Sequence, residues 1–135
     1  MNLLFSLEEF VTNGSFMSLH GLDLKELKKA MGKPEDFSFF KSGQILKYFG
    51  GSLELTFYKE RQYLIAVYFM KGSLDAFEVP SFLKNERECM LWLKNQNISY
   101  AKLAGDDVSN SWELENGVTI VFYESELESI QAIQS

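Results

Sequence analysis

Leu46-Lys47-Tyr48-Phe49-Gly50-Gly51-Ser52-Leu53-Glu54-Leu55-Thr56-Phe57-Tyr58 reads as a β-hairpin. Gly50-Gly51 accepts the positive φ of a tight turn. A loop at that pair sets Tyr48 against Leu53, Lys47 against Glu54 and Leu46 against Leu55. Apolar residues then meet on one face and opposite charges on the other. The strands predicted are Ile45–Phe49 and Ser52–Tyr58, with a third at Tyr63–Met70.

A second stretch, Trp112-Glu113-Leu114-Glu115-Asn116-Gly117-Val118-Thr119-Ile120-Val121-Phe122-Tyr123, repeats the pattern. A two-residue Asn116-Gly117 loop would put Val118, Ile120 and Phe122 on the face of Glu113 and Glu115. A three-residue loop, Glu115-Asn116-Gly117, instead aligns Trp112 with Ile120 and Leu114 with Val118, with Gly117 as the left-handed bulge residue. Parity favours the three-residue loop.

Three helices are expected around these strands. Ser6 and Glu9 suit the start of a short one to Val11. Asp23 caps a second, Leu24–Met31, which Gly32 and Pro34 end. A third spans about Asn85–Leu93, followed by an extended piece, Ile98–Leu103. The tail from Ser125 fits a helix or a strand. Leu46, Tyr48, Gly51, Phe57-Tyr58, Leu64, Ala66 and Val67 are echoed by Trp112, Leu114, Gly117, Phe122-Tyr123, Ile130, Ala132 and Ile133. If that repeat is structural, the tail is a strand. The fold class expected is α+β: two tandem helix plus three-strand antiparallel units, about residues 20–70 and 85–135, with helices packed on the sheet. Both lie in a single domain spanning 1–135.

The chain has 135 residues, 46% hydrophobic and 15% aromatic, enough apolar surface for one core. The longest apolar run, Tyr63–Met70, is far short of a membrane-crossing helix. The first residues lack a basic region, so no signal peptide is read and a cytoplasmic location is expected.

Chemistry-bearing residues are sparse. His20 and Cys89 are the sole histidine and cysteine, too few for a zinc set and insufficient for an intrachain disulfide. Cys89 reads as a buried thiol and His20 as a turn residue. No calcium-loop or phosphate-loop pattern occurs. Tyr58, Tyr63 and Tyr68 with Lys59 and Arg61 resemble a nucleic-acid stacking surface, but the charge balance opposes it. Glu54, Glu113 and Glu115 do not suggest the cleft that paired-carboxylate catalysis needs. The expectation is a protein that is not an enzyme and uses no cofactor, metal, nucleic acid or membrane.

Charge is the informative asymmetry. The formal net charge is −6. Residues 1–102 hold 12 acids and 13 bases; residues 103–135 hold seven acids and no base. Such a surface attracts cationic partners. Asp106, Asp107, Glu113, Glu115, Glu124 and Glu126 are the candidate partner-binding residues, with Tyr123 as an aromatic anchor.

Residues Leu46–Phe57, followed by Leu64-Ile65-Ala66-Val67-Tyr68-Phe69 and preceded by Met31-Gly32-Lys33-Pro34, resemble small bacterial immunity proteins of contact-dependent or polymorphic toxin systems. That resemblance implies a cytoplasmic, acidic α+β protein that neutralises a basic toxin, such as a nuclease, by binding it. The alternatives are a structural or adaptor domain that homodimerises through strand edges, and a small-molecule-binding domain.

Overall fold

The computed structural model describes residues 5–69 and 75–134. Met70, Gly72 and the chain start, on which some sequence expectations fall, lie outside the described residues. Both hairpins form in the expected registers. Strand β3 (Gly43–Tyr48) pairs with β4 (Leu53–Tyr58), Tyr48 facing Leu53 and Leu46 facing Leu55. Strand β8 (Ser109–Leu114) pairs with β9 (Val118–Tyr123), Trp112 facing Ile120. Gly117 takes φ 87°, and its N–H donates to the Leu114 carbonyl at 3.0 Å.

The architecture around the hairpins differs from two helix plus three-strand units. One eight-stranded antiparallel sheet runs β2-β3-β4-β5-β10-β9-β8-β7. Its other members are β2 (Asp36–Phe40), β5 (Arg61–Tyr68), β7 (Tyr100–Gly105) and β10 (Glu126–Ile133). Each half of the sheet is thus a meander of four strands, not three. The halves fuse where β5 meets β10, with Val67 opposite Ile130 and Ile65 opposite Ala132. The physical reason is burial. Ile65, Val67, Ile130 and Ala132 are all buried, and a strand with a buried face is best satisfied by neighbours on both edges. The tail is therefore a strand.

A two-stranded parallel sheet pairs β1 (Phe5–Ser6) with β6 (Phe77–Glu78). Helices α1 (Leu7–Asn13), α2 (Leu24–Met31) and α3 (Glu86–Asn95) bury Phe10, Leu27, Cys89 and Leu93 into the same core as the inward residues of the large sheet. Caps set the helix starts. The Ser6 side chain accepts from Glu9 N, Asp23 and Glu26 form a reciprocal capping box, and Asn85 accepts from Glu88 N. In α3, Cys89 and Leu93 point inward while Leu91 is exposed.

Alternation along β4 and β9 leaves the second face of the sheet open. The segment from Phe5 to Phe16 locks onto the core through rings. Phe16 stacks on Phe10 at 4.6 Å and meets Phe5 edge-on at 5.0 Å. Burying each such ring stabilises the fold by roughly 1.5–3 kcal/mol.

Candidate functional site

Strand direction divides the candidate acids. The β7–β8 and β9–β10 turns lie at one end of the sheet, and the β8–β9 turn lies at the other. In the first turn, the Asp106 carboxylate accepts from Val108 N and Ser109 N, both at 2.9 Å. Those two donors hold the Asp106 carboxyl below its ordinary range. In the second, Glu124 N donates to the Val108 carbonyl at 2.6 Å, so the two turns are tied together. Asp106, Asp107, Glu124, Glu126 and Tyr123, the last 45% exposed, therefore share one end.

Glu113 and Glu115 do not join them. Glu113 pairs with Thr119 on the open face. Glu115 sits beyond Leu114, and its N–H donates to the Ser99 carbonyl at the opposite end. The length of β8, at ~3.3 Å per residue, separates the two groups.

Helix α3 starts beside the gathered acids, where Glu86 N donates to the Ser125 carbonyl at 3.0 Å. It adds Glu88 and Glu86, but also Arg87 and the preceding Lys84. From the edge strand, Lys102 reaches over the Trp112 ring at 5.9 Å, close to Gly105. The end remains acidic in excess, but it is not the base-free surface that residues 103–135 suggest alone.

Sequence reasoning missed a polar cluster behind this end. The Glu86 carboxylate accepts from Trp112 Nε1 at 2.8 Å and from Asn110 Nδ2 at 3.0 Å. Twenty-six residues separate Glu86 from Trp112, and no local pattern links them. Trp112 points to the helix-bearing face, as strand parity requires, so it positions the acidic end instead of forming an exposed anchor.

A cleft of about 430 Å³ opens at the other end, lined by His20, Asp23, Tyr58, Arg61, Gln62 and Tyr63 among others. Gln62 Nε2 donates to the Leu22 carbonyl at 2.8 Å and to the Leu19 carbonyl, while its Oε1 is buried without a partner. The cleft offers one guanidinium, one imidazole and two phenols to a small polar ligand. Cys89 is buried in α3. Desolvation, with the Glu86 charge adding, pushes its thiol up to about 12, so it is no nucleophile at neutral pH. Among the described residues, no group of three or more His, Cys, Asp or Glu side chains is arranged to hold a metal ion. No described helix is long and apolar enough to cross a membrane.

No family model matches the chain, and no curated protein matches it. A solved structure does: an extracellular protein containing a SCP domain from Bacillus anthracis, with a TM-score of 0.53 and 11% identity. The match covers 92% of this chain and 47% of that one, so this chain spans about half that protein's length. At this identity the likeness concerns the fold of the shared half alone.

Proposed function

We propose that this chain is a non-catalytic protein-binding domain that docks a basic partner at its acidic end, as an immunity-type inhibitor docks a toxin in the cytoplasm. The observation that carries this reading is the hydrogen bond from Glu124 N to the Val108 carbonyl, which joins two acidic turns into one surface. Asp106, Asp107, Glu124 and Glu126 are held there by ordered backbone, and Tyr123 supplies an exposed aromatic beside them. Preorganised charge speeds association, and an aromatic at its border adds contact area.

The test is copurification of the tagged chain from its own cells, compared with an Asp107→Lys/Glu124→Lys/Glu126→Lys variant. The expected result is a stoichiometric complex with a basic protein, lost in the variant and weakened by salt. Equal recovery by both forms overturns the reading. The cleft around Arg61 and Gln62 supports a second reading, small-molecule binding. A rise in melting temperature with a polar metabolite, abolished by Arg61→Ala, would favour it.

A further inference from the structure

The two halves of the large sheet repeat each other around their last hairpins. The N–H of Leu24, at the start of α2, donates to the Glu60 carbonyl at 3.0 Å, and the N–H of Glu86, at the start of α3, donates to the Ser125 carbonyl at 3.0 Å. Each final strand carries a bulge at the same place, so Gln62 stands opposite Phe57 as Leu127 stands opposite Phe122. Beyond each bulge the backbone closes in the same way. Gln134 N donates to the Tyr63 carbonyl at 2.8 Å, and Phe69 N to the Glu128 carbonyl at 2.9 Å.

Against this likeness, one corner is open. In the second half a short 3-10 turn, Ser81–Lys84, joins α3 through Asn85 alone, and Leu127 is buried. In the first half the corresponding turn, Met17–Leu19, is followed by His20, Gly21, Leu22 and Asp23 before α2 begins. The residue in the place of Leu127 is Gln62, whose amide donates to the carbonyls of Leu19 and Leu22. A polar strut thus fixes a longer loop where the other half packs an apolar side chain. The cleft of about 430 Å³ lies between that loop and the strand end.

The lining has the chemistry of an acid-binding site. Tyr58 and Tyr63 stand at the opening, each about half-exposed. Among the described residues no carboxylate pairs with the Arg61 guanidinium between them. Asp23, the one acid among the described lining residues, is already engaged as the N-cap of α2, accepting from Glu26 N at 2.8 Å. Lys59 Nζ lies over the Tyr58 ring at 5.6 Å and adds positive potential on that side. A planar fork of N–H donors beside two aromatic rings matches a carboxylate carried on an aromatic body.

We propose that this cleft binds a small aromatic carboxylic acid as its anion, with Arg61 gripping the carboxylate and the tyrosine rings packing on the ligand ring. The proposal rests on the small-molecule reading above and names its ligand class. The site lies at the opposite end of the sheet from the joined acidic turns, so it is independent of the proposed docking surface.

An NMR titration of the full chain with benzoate tests the site, read on the ring signals of His20, the sole histidine and a lining residue. Benzoate should move those signals with a Kd on the order of millimolar. Acetate, which lacks the ring, and benzamide, which lacks the charge, should each bind roughly tenfold more weakly or worse. Arg61→Ala should weaken benzoate by roughly tenfold or more, and Arg61→Lys by less, because the charge stays but the fork is lost. Arg61 is exposed, so both variants should melt with the parent, which separates lost binding from unfolding. Benzamide binding as tightly as benzoate overturns the anion while leaving small-molecule binding in the cleft standing. A benzoate response that survives Arg61→Ala overturns the proposal. So does silence at about 20 mM benzoate. In that case a melting-temperature rise with a neutral metabolite, abolished by Arg61→Ala, would preserve the broader reading without the acid.

Discussion

Trp112 donates its indole N–H to the Glu86 carboxylate at 2.8 Å, tying helix α3 to strand β8 across the helix-bearing face. Asn110 donates to the same carboxylate, so one side chain fixes two residues of the strand. The same helix start reaches the β9–β10 turn through Glu86 N. Glu86 is therefore the joint between α3 and the acidic end.

Removing that joint should be costly. Glu86→Ala leaves the Trp112 and Asn110 donors without their charged acceptor, and a loss of about 2–3 kcal/mol in unfolding free energy is expected. Glu86→Gln keeps an acceptor oxygen and should lose less. Urea denaturation followed by tryptophan fluorescence distinguishes the two. Equal stability of Glu86→Ala and the parent would refute the assignment.

Two turns can be relaxed. Lys59 and Glu60 take φ 50° and 69°, and Glu124 and Ser125 take φ 50° and 66°. These are type I′ positions without the glycine or asparagine that suits them. Lys59→Asn with Glu60→Gly should stabilise the fold by about 1–2 kcal/mol. The Leu24 N–H still finds the carbonyl at position 60. A lower denaturant midpoint in the double variant would count against strain at this turn.

Cys89 predicts an alkaline weakness. Burial raises its thiol from the ordinary 9.0 to about 12 in the fold. Between those values the unfolded chain loses the thiol proton and the native protein keeps it. The native state then binds more protons, so stability is full below pH 9 and falls as pH rises toward 12. Cys89→Ala should flatten that part of the pH–stability curve. In the parent, a thiol reagent at pH 8 should react only on unfolding.

The aromatic cluster at the chain start should carry large weight. Phe16 is buried between Phe10, Phe5 and Phe77. Phe16→Ala should cost about 3–5 kcal/mol, read as a large fall in melting temperature. A change below about 1 kcal/mol would show that the packing of residues 5–19 is loose.

Much of the local structure was legible because its causes are local. Gly50-Gly51 and Gly117 name their turns by backbone freedom, and parity on either side sets the register. Asp23 marks the start of α2 as an N-cap, and Gly32 with Pro34 marks its end. Strand β2 was not legible. Phe37 and Phe39 around Ser38 are too short an alternation to separate a strand from a loop, and β3 alone makes it one. The acidic site was legible as composition but not as placement. Glu113, Glu115 and Glu124 stand close in sequence, yet the direction of β8 and β9 sends Glu115 and Glu124 to opposite ends.

The amino-acid order alone determined the hairpins, the capped helices and the surplus of carboxylates beyond Lys102, since turn chemistry, side-chain alternation and charge act within a few residues. Tertiary packing alone decided that Val67 lies against Ile130 and that Glu86 receives Trp112. Those contacts join residues far apart along the chain, where no periodicity reaches. Their energy exists only once the helices have covered one face of the sheet and excluded water from it.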